Sequence, residues 1–425
     1  MSDPRAFIVV GLGFGDCGKG TVTDHLVREG GAALVVRFNG GGQAGHNVVL
    51  PDGRHHTFSQ LGAGTFAGAR THLADTVVVH PSALLVEARV LAAKGVDDPL
   101  GRLTLSRRCR VTTPFHQSAG RLRELARGAN AHGTCGVGVG ETVRDSLDHP
   151  DDVLVTADLA FPTNPLLGKL ERIRQRLLGA APDLDHAERD LLEDSEVAAR
   201  WLEQIGAFRE RARLVDDAEV ASGITSDVVF EGAQGILLDE HVGFHPHTTW
   251  STCTSAWAER WLDDHSLAHA PVRVGVTRTT LTRHGAGPLP SADRALTNAL
   301  AEPHNGAEGW QGAFRVGWLD LPLLRYAIAA NGGLDALALT HLDRLGALDD
   351  WQVVRAYPEA LEVQADLEAQ GALTRRLSEA QPTLEPLAPE ALAAFDDWLE
   401  RETEVPVGLV SHGPTYADKR LRGAW

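Results

Sequence analysis

Short apolar runs alternate with longer amphipathic stretches along most of the chain. Residues 6–10 form a continuous apolar run, which is typical of a strand buried in a parallel sheet, and a helical pattern extends from about residue 19 to residue 29. Further runs of the same kind are predicted strands, at residues 33–38, 76–79, 227–230, 272–276 and 334–340. Strands that alternate with helices predict an α/β fold with a large, mostly parallel sheet flanked by helices.

Two charged segments with helical patterns interrupt this alternation. They are expected to be helical insertions on the outside of the molecule, around residues 183–220 and 364–401. The sequence has no internal repeat and no Ser/Gly-rich linker that would divide it. We therefore expect residues 1–425 to form a single domain.

The composition narrows the class of protein. Of 425 residues, 43% are hydrophobic and 23% are charged, which supplies a core and excludes intrinsic disorder. The net charge of −17 argues against nucleic acid or an anionic membrane as a partner. Four cysteines lie far apart without Cys-x-x-Cys spacing, and no apolar run approaches the roughly 18 residues of a membrane helix. With no signal-peptide pattern at the start, these features predict a soluble cytoplasmic protein.

The first candidate for chemistry is a glycine loop between the first predicted strand and the first predicted helix. Residues 13–21 read Gly-Phe-Gly-Asp-Cys-Gly-Lys-Gly-Thr, which fits the Gly-x-x-x-x-Gly-Lys pattern of a phosphate-binding P-loop. In such loops backbone N–H groups and the helix N-terminus face phosphate oxygens, and Lys19 is expected to reach the β and γ oxygens. Gly20 stands where a magnesium-binding Ser or Thr is usual, and Asp16 is an unusual acid in the loop.

Two further glycine-rich loops follow predicted strands. Residues 37–47 read Arg-Phe-Asn-Gly-Gly-Gly-Gln-Ala-Gly-His-Asn, and His46 near the end of this loop is a candidate catalytic residue. Residues 230–239 contain Glu-Gly-Ala-Gln-Gly directly after a predicted strand. Ligands of open α/β sheets bind at the carboxyl ends of strands, which is where Gln234 falls.

These loops and several other segments resemble one family, adenylosuccinate synthetase. The other matching segments agree with that family in order and spacing almost from end to end, at residues 81–84, 133–136, 282–288, 317–320, 339–343 and 411–414. The resemblance implies the adenylosuccinate synthetase fold, related to that of P-loop NTPases. It also implies an enzyme that joins IMP and aspartate while it hydrolyses GTP.

The resemblance implies catalytic roles for three residues. The acid that matches Asp16 takes the N1 proton of the purine and binds Mg²⁺, with the Gly45 carbonyl as a further Mg²⁺ ligand. The histidine that matches His46 bonds the phosphate passing from GTP to the purine O6, and the glutamine that matches Gln234 supports the 6-oxygen. Deprotonation of N1 makes O6 a nucleophile toward the γ-phosphorus, and a cationic histidine and Mg²⁺ offset charge in the transfer.

The resemblance also implies two nucleotide sites. Asp343 matches the acid that reads the guanine edge, so GTP rather than ATP is expected. The residues expected at GTP are Gly15, Gly18, Lys19, Gly20, Thr21, Gly45, Arg315, His341, Asp343, Ser411 and Gly413. Those expected at the purine nucleotide are Gln43, Thr134, Cys135, Arg144, Gln234 and Thr249. Thr249 and Arg144 match residues that hold the 5′-phosphate, and the family's arginine crosses from the partner subunit, which implies a homodimer.

The chain departs from the family pattern at several positions. Cys17 replaces a glutamate, Gln43 an asparagine, Asn47 a threonine, Cys135 a threonine, and His341 a lysine that packs on the guanine. The largest departure is the arginine-rich loop that clamps the aspartate carboxylates in the family. That loop here consists of Gly309, Trp310, Gln311, Gly312, Ala313, Phe314 and Arg315, so one arginine remains. Since guanidinium forks bind carboxylates, either another arginine substitutes or the amine donor is not aspartate.

The sequence therefore predicts a GTP-dependent C–N ligase that replaces the 6-oxygen of a purine nucleotide with an amine, by default IMP and aspartate. Two alternatives stay open. One is the same activation with a different amine donor or purine nucleotide, and the other is a non-catalytic GTP-binding paralogue. An ordinary switch GTPase is disfavoured, because Lys19 is followed by Gly20 instead of the hydroxyl that holds magnesium.

Overall fold

A ten-stranded sheet organises the molecule. The structure is a computed structural model and describes residues 4–300, 310, 312–348, 350–364 and 366–423. In chain order the strands are β1 (Arg5–Gly11), β2 (Leu34–Arg37), β3 (His46–Val49), β4 (His55–Phe58), β5 (Arg70–Leu73), β6 (Val78–Val79), β7 (Leu103–Ser106), β8 (Arg110–Val111), β9 (Arg213–Val215), β10 (Val228–Glu231), β11 (Ala270–Arg278), β12 (Thr280–His284), β13 (Phe314–Asp320), β14 (Ala336–Thr340), β15 (Gln352–Ala356), β16 (Thr383–Pro386), β17 (Val407–Ser411) and β18 (Lys419–Leu421). Within the described residues, the large sheet has the order β18-β17-β14-β11-β1-β10-β2-β5-β7-β9. Its neighbouring strands are parallel except β17 and β18, so the predicted α/β fold with a mostly parallel sheet is confirmed.

Helices lie between many of these strands. In chain order they are α1 (Lys19–Gly30), α2 (Pro81–Ala93), α3 (Pro114–Arg127), α4 (Val139–Asp148), α5 (Thr163–Ala180), α6 (Ala187–Glu193), α7 (Val197–Gln204), α8 (Gly206–Arg211), α9 (Asp217–Ser222), α10 (Ala256–Asp264), α11 (Arg294–Ala299), α12 (Leu321–Ala330), α13 (Leu367–Glu379), α14 (Pro389–Ala393) and α15 (Phe395–Thr403). A second sheet of β12, β13, β15 and β16 carries the antiparallel pair β12–β13, which reaches the candidate site. Along the described ranges, no helix combines the length and the apolar character needed to cross a bilayer.

The centre of the large sheet is buried on both faces. On β1, Ala6, Ile8 and Val10 belong to one cluster of the core, whereas Phe7 and Val9 belong to another. Successive side chains of a strand point to opposite faces, so these two clusters lie on opposite sides of the sheet. A strand covered on both sides needs apolar residues at every position, which explains the continuous run at residues 6–10.

Five of the predicted strands lie in the large sheet, at β1, β2, β10, β11 and β14. The prediction of a sheet strand at residues 76–79 is wrong. Only Val78–Val79 is extended there, and it pairs with β8 outside the large sheet.

The two charged segments contribute to the core as well as to the surface. The segment 183–220 contains β9, which forms an edge of the large sheet, and its helices bury Leu192, Trp201 and Phe208. The segment 364–401 contains β16 between α13 and α14. An amphipathic helix with a charged outer face still packs one apolar stripe inward, and that stripe was too sparse to stand out in the sequence. The single-domain division of residues 1–425 stays a prediction.

A buried carboxyl group caps helix α12. Asp320 is 1% exposed, and it accepts hydrogen bonds from the Leu323 amide at 3.0 Å and from the Tyr357 hydroxyl at 2.5 Å. Burial raises the pKa of Asp320 to about 7, against the lowering effect of both hydrogen bonds. Because the folded-state pKa is raised, this group contributes stability that is full below about pH 4 and is lost as the pH rises through about 7.

We expect urea unfolding of the Asp320→Asn variant to reveal this effect. Between about pH 5 and about pH 8, the wild type should lose about 2.5 kcal/mol of unfolding free energy relative to the variant. The amide does not titrate, and its oxygen can still accept from Leu323. If the unfolding free energies of both proteins change equally with pH, the pKa of Asp320 is not raised.

Candidate active site

Three glycine-rich loops meet at the carboxyl edge of the central strands. β1 pairs in parallel with β10, and β10 pairs in parallel with β2, so the loops that follow them leave the same edge of the sheet. The Leu237 amide donates to the Gly13 carbonyl at 3.2 Å, and Asn39 Nδ2 donates to the Ala233 carbonyl at 3.3 Å. The loops that contain Asp16, His46 and Gln234 are therefore joined by direct hydrogen bonds.

The phosphate loop has a conformation that its glycines permit. Gly15 and Gly18 have φ of 94° and 92°, in the left-handed region that favours glycine. Lys19 begins α1 and is 3% exposed, and its ammonium donates to the Gln234 carbonyl. A Cβ on Gly11 would lie 3.1 Å from Lys19 Nζ, so the glycine leaves a path for this side chain. The ammonium is thus held close to the first turn of α1, where a phosphate would bind.

Close packing at Gly20 explains why this loop has no magnesium-binding hydroxyl. A Cβ on Gly20 would lie 2.7 Å from the Cβ of His46, which is closer than folded proteins allow. A serine or threonine at this position would therefore displace His46. The hydroxyl of Thr21 is directed elsewhere, since it donates to the Pro414 carbonyl at 3.0 Å. His46 thus occupies the space into which a side chain at position 20 would extend.

A buried carboxylate holds His46. Glu231 is fully buried at the end of β10, and its Oε1 lies 2.6 Å from His46 Nδ1. Its Oε2 accepts from the Ala63 amide at 3.0 Å and lies 3.9 Å from Arg37 Nε. Burial raises the pKa of Glu231, but Arg37, His46 and the Ala63 amide outweigh it and keep that pKa below its usual value. Burial also lowers the pKa of His46 to about 4, although Glu231 opposes this. The ring is therefore neutral near pH 7, not cationic as the resemblance implies, and the ionised Glu231 keeps its proton on Nδ1. An anionic phosphate beside Nε2 would favour a second proton there, and Nε2 could then donate to it.

Glu231 was not among the residues that we predicted for the site. Its signal in the sequence is a single acid at the end of an apolar strand, immediately before the Gly-Ala-Gln-Gly turn. An ionisable residue is rarely placed in such a strand unless it is paired.

Two basic side chains contact Asp16 at the mouth of the phosphate loop. His284 Nε2 lies 3.0 Å from Asp16 Oδ2, and Arg278 Nη1 donates to the Asp16 carbonyl at 3.0 Å. Burial raises the pKa of the Asp16 carboxyl, but the His284 hydrogen bond and the charges of His284, Lys19 and Arg278 outweigh it. The net pKa is below the usual value. Asp16 is therefore ionised near neutral pH, in the form that accepts a proton or binds a cation.

Two half-buried glutamine side chains face the same region with buried polar atoms that have no hydrogen-bond partner among the described residues. They are Gln234, through Oε1, and Gln43, through both Oε1 and Nε2. A Cβ on Gly40 would lie 3.0 Å from Gln234 Oε1, and one on Gly41 would lie 3.1 Å from Gln43 Oε1, so the glycines make room for both amides. Unpaired buried amides are costly, and a bound ligand with polar atoms would satisfy them.

Hydrogen bonds hold the segment that contains Thr249 against the loop at residues 37–47. Asn39 Nδ2 donates to the Thr252 carbonyl at 2.8 Å, and the Gly40 amide donates to Ser251 Oγ at 2.9 Å. Thr134 lies on another segment, where its amide donates to Glu124 Oε1 at 3.1 Å, and the adjacent Cys135 is half-buried. Thr249, Gln43 and Gln234 are thus brought to neighbouring loops.

Further predicted residues follow the ends of β14 and β17. Thr340 Oγ1 donates to the Cys17 carbonyl at 2.8 Å, which links the end of β14 to the phosphate loop. His341 has φ of 62°, and burial and three nearby cations hold its pKa well below the usual value, so the ring is neutral. Asp343 is exposed, and Ser411 Oγ donates to the Gly413 carbonyl at 3.0 Å.

Lys419 was not predicted as a site residue, yet it supports the turn at residues 413–415, which follows β17. It is 8% exposed, and its ammonium donates to the Thr415 carbonyl at 2.7 Å and the Gly413 carbonyl at 3.4 Å. Burial lowers the pKa of Lys419 to about 8, against the attraction of Asp418, Asp24 and Asp343. The sequence around Lys419 does not indicate this role, because the partners are backbone carbonyls of the turn at residues 413–415.

Comparison with known proteins agrees with this geometry. The family model of adenylosuccinate synthetase matches residues 8–419. The chain belongs to the adenylosuccinate synthetase family. It is 31% identical over 437 residues to the adenylosuccinate synthetase of Chromohalobacter salexigens, with 96% of each chain covered.

Two solved structures of similar proteins share the fold. The fully ligated adenylosuccinate synthetase of Plasmodium falciparum has a TM-score of 0.80 and 21% identity, covering 99% of this chain and 100% of that one. The succinoaminodeoxyadenylate synthetase of cyanophage S-2L, bound to dGMP and to dATP as an energy donor, has a TM-score of 0.63 and 19% identity, covering 99% and 96%. The adenylosuccinate synthetase fold predicted from the motifs is therefore confirmed.

Arg144, which resembles the family's phosphate-binding arginine, lies on an open face of α4. Its Nη2 pairs with Glu141 Oε2 at 2.7 Å, and burial and the neighbouring Arg123 and Arg127 lower its pKa. Leu147 on the same helix is 60% exposed. Trp250, 46% exposed, lies close enough that a Cβ on Gly140 would come within 3.0 Å of its indole. This face of α4 therefore presents a cation next to exposed apolar side chains.

The loop that departs from the adenylosuccinate synthetase pattern reaches across the site. Trp310 packs on Gly136, where a Cβ would lie 2.7 Å from the indole, and Arg121 lies 5.6 Å from its ring centroid. The Gly285 amide donates to the Ala313 carbonyl at 3.0 Å, and Phe314 lies 5.0 Å from His284 between ring centroids. A Cβ on Gly312 would come within 3.4 Å of the same Gly285. Gly309 and Gln311 lie outside the described residues.

Arg315, the arginine that remains in this loop, contacts a turn of the chain. Its Nη2 donates to the Gly285 carbonyl at 2.6 Å and the Gly287 carbonyl at 2.9 Å. These bonds join the end of the loop to the turn at residues 285–287.

Proposed function

We propose that this protein is a GTP-dependent ligase that joins IMP and aspartate into adenylosuccinate, with release of GDP and phosphate. The observation that carries the proposal is the meeting, at one edge of the sheet, of an ionised Asp16, a P-loop lysine and a Gln234 side chain whose buried Oε1 has no described partner. The family and its named relatives supply the reaction class. A different amine donor or a non-catalytic paralogue is not favoured.

The chemistry of the first step follows from the residue types. Asp16 accepts the N1 proton of the purine, and the electron pair moves to O6, which attacks the γ-phosphorus of GTP. GDP leaves with the β–γ bridging oxygen. Lys19 contacts the β and γ oxygens in this proposal, and Gln234 donates from Nε2 to the 6-oxygen. His46, once it is protonated on both ring nitrogens, donates from Nε2 to the transferring group, while the ionised Glu231 accepts from Nδ1 and stabilises the charged ring.

In the second step the amine of aspartate attacks C6 of the purine. The 6-phosphoryl group leaves as inorganic phosphate, with its bond to C6 broken, and the amine loses a proton. Phosphate is a better leaving group than hydroxide, which is why the first step is needed. The products are adenylosuccinate, GDP and phosphate.

A magnesium ion would bind next to the phosphate loop. The oxygen donors here, the Asp16 carboxylate and the Gly45 carbonyl, are of the type that Mg²⁺ takes, and it completes its shell with water and substrate phosphates. The absence of space for a hydroxyl at Gly20 fits an ion that is held by Asp16 instead. When bound, the ion would offset charge on the phosphoryl group. No cluster of three or more His, Cys, Asp or Glu side chains suited to a metal is present in the described ranges, which an ion held mainly by substrate does not need.

GTP is the proposed phosphate donor because Asp343 can accept hydrogen bonds from the N1 and N2 groups of guanine, which adenine lacks. Ser411 and Gly413 form the facing wall, and Lys419 holds it. The described cysteines form no disulfide, which suits the proposed cytoplasmic location.

The Lys419→Met variant should weaken GTP binding selectively. Loss of the bonds to the Gly413 and Thr415 carbonyls should raise KM for GTP about tenfold while kcat changes by less than about threefold. Steady-state phosphate release at varied GTP measures both constants. The matched control is Arg420→Met on the exposed neighbouring residue; a similar effect in both variants would argue that Lys419 does not support the base pocket.

We also propose a homodimer in which Arg144 reaches the purine phosphate of the partner subunit. The exposed Leu147 and Trp250 beside Arg144 are the apolar groups that an interface would cover. Leu147→Asp should shift sedimentation toward monomer and lower activity in parallel, by about tenfold at low protein concentration. A monomeric wild type, or a variant with unchanged sedimentation, would contradict the dimer.

Product formation tests the function directly. With GTP, IMP and Mg²⁺, we expect phosphate release that depends on aspartate, together with the ultraviolet spectrum of a 6-amino-substituted purine. Replacement of IMP by dGMP tests the purine. Release that requires dGMP, or that occurs without aspartate, would contradict the proposal.

A further inference from the structure

Four basic side chains meet between the hairpin β12–β13 and the segments that precede Thr134 and Thr249. They are His132, His247, Arg283 and Arg315, and we call them the basic cluster. Arg283 and Arg315 face each other in the register of the hairpin. The rings of His132 and His247 are 6.0 Å apart between centroids, and Arg283 Nη2 donates to the His247 carbonyl at 3.0 Å.

Carbonyl groups, not carboxylates, hold both guanidinium groups. Arg283 is 3% exposed and also donates to the carbonyls of Ala286 at 3.0 Å and Pro288 at 3.1 Å. Arg315 Nη2 donates to the turn at Gly285 and Gly287. In the part of the chain that the structure describes, neither arginine forms an ion pair with an acid. Arg283 is buried and Arg315 is half-buried, and a cation removed from water without a counter-charge is costly, so this cluster is a favourable place for an anion.

The charges within the cluster agree with this interpretation. Burial and the charge of Arg315 lower the pKa of Arg283 to about 9, and burial also lowers the pKa of Arg315. Burial together with Arg283, His132 and Arg315 lowers the pKa of His247. An anion bound among these groups would reverse the mutual repulsion and favour their charged forms.

Hydrogen-bond donors remain for such an anion. The bonds described for Arg315 use only Nη2, which leaves the N–H groups of Nε and Nη1. His247 Nδ1 is buried and has no hydrogen-bond partner among the described residues. A guanidinium edge beside imidazole groups is a set of donors that suits a carboxylate.

The basic cluster lies beside segments that are proposed to bind the purine nucleotide, where the amine would attack C6 in the second step. His132 stands two residues before Thr134, and His247 two residues before Thr249, so both precede segments proposed to bind the purine nucleotide. The guanidinium of Arg283 lies 4.1 Å from the centroid of Phe14 in the phosphate loop. Trp310 packs on Gly136, so the loop that ends at Arg315 also contacts the segment after Thr134. The anion would lie beside the purine.

We propose that the basic cluster binds the carboxylate groups of the amine donor and takes over from the arginine loop that this chain lacks. This inference rests on the proposed ligase function and adds the residues that select an acidic amino acid over a neutral amine. His132 and His247 are specificity-determining residues of the donor site, and the Arg283 side chain positions the turn that holds Arg315.

Kinetics of His247→Phe and His132→Phe test the proposal, with L-aspartate as the varied substrate. Phenylalanine keeps a planar ring and removes the donors. Each variant should raise KM for aspartate about tenfold, while kcat and the KM values for GTP and IMP change by less than about threefold. His241→Phe is the matched control, because the His241 side chain is 72% exposed in the same segment as His247. Equal KM values for aspartate in wild type and both variants, or a rise in KM for IMP instead, would overturn the donor assignment.

Calorimetric titration with succinate, a dicarboxylate that has no amine, separates this proposal from the proposed function. In the presence of IMP, the wild type and His241→Phe should bind succinate, and His247→Phe should bind it about tenfold more weakly. If wild type fails to use aspartate but still shows this pattern, the ligase function fails and the anion site stands. If succinate does not bind to the wild type, or binds equally to His247→Phe, the anion site is refuted.

Discussion

The Asp16→Asn variant should lose aspartate-dependent phosphate release by about a thousandfold, as expected when a general base is removed. The amide has nearly the same shape as the carboxylate, but it cannot accept the N1 proton and is a weaker ligand for Mg²⁺. The loss should appear in kcat. Steady-state phosphate release at saturating GTP, IMP and aspartate measures it.

The exposed acid Asp52 provides a control for this prediction. Asp52→Asn changes the same functional group outside the site and should leave kcat within about twofold of the wild type. Calorimetric binding of IMP and GTP to Asp16→Asn should show that the nucleotide sites are formed. If this variant retains more than about a tenth of the wild-type kcat, proton transfer to Asp16 is not part of the mechanism.

The Glu231→Gln variant should lower kcat about a hundredfold, because a neutral amide no longer stabilises the doubly protonated His46 ring that donates to the transferring phosphoryl group. Glu231 acts through His46 and is a positioning residue, so the KM values for GTP and IMP should stay within about threefold. The same kinetic assay gives these constants. Glu231→Asp, which keeps the charge but shortens the reach to His46, should recover part of the activity.

Structural damage would give a different result. Loss of the Glu231 carboxylate also removes the partner of Arg37 and of the Ala63 amide. If the loops of the site became less ordered as a result, the KM values for GTP and IMP would both rise and the unfolding midpoint would fall. The surface variant Glu29→Gln is the control, since Glu29 is exposed on α1. An unchanged kcat in Glu231→Gln would show that the pair with His46 has no role in catalysis.

The sequence predicts those parts of the site whose functional residues lie together in one short stretch of the chain. Lys19, Asp16 and Gly20 share one loop with a recognisable spacing, and the apolar run at residues 6–10 marks the buried strand before it. The alternation of such runs with helical patterns is enough for the class of fold. The missing hydroxyl at Gly20 was visible in the sequence, but its steric cause, the Cβ of His46, was visible only in the structure.

Contacts between distant parts of the chain could not be predicted in the same way. Arg278 donates to the Asp16 carbonyl across 262 positions, and His46 meets Glu231 across 185. Each partner is an ordinary residue in its own segment and gains its role when parallel strands align their carboxyl ends. Residues 76–79 show the reverse error, because their apolar run resembles a strand of the large sheet although β6 pairs with β8 outside that sheet.

The proposed mechanism transfers the purine 6-oxygen to phosphate, and isotope labelling can follow that atom. IMP that carries ¹⁸O at position 6 would be incubated with GTP, aspartate and Mg²⁺, and the released phosphate examined by mass spectrometry. O6 attacks the γ-phosphorus in the proposed mechanism, so each phosphate released should carry one ¹⁸O atom from IMP. Phosphate that contains no label, formed while GTP is consumed, would show that water attacks GTP and would contradict the mechanism.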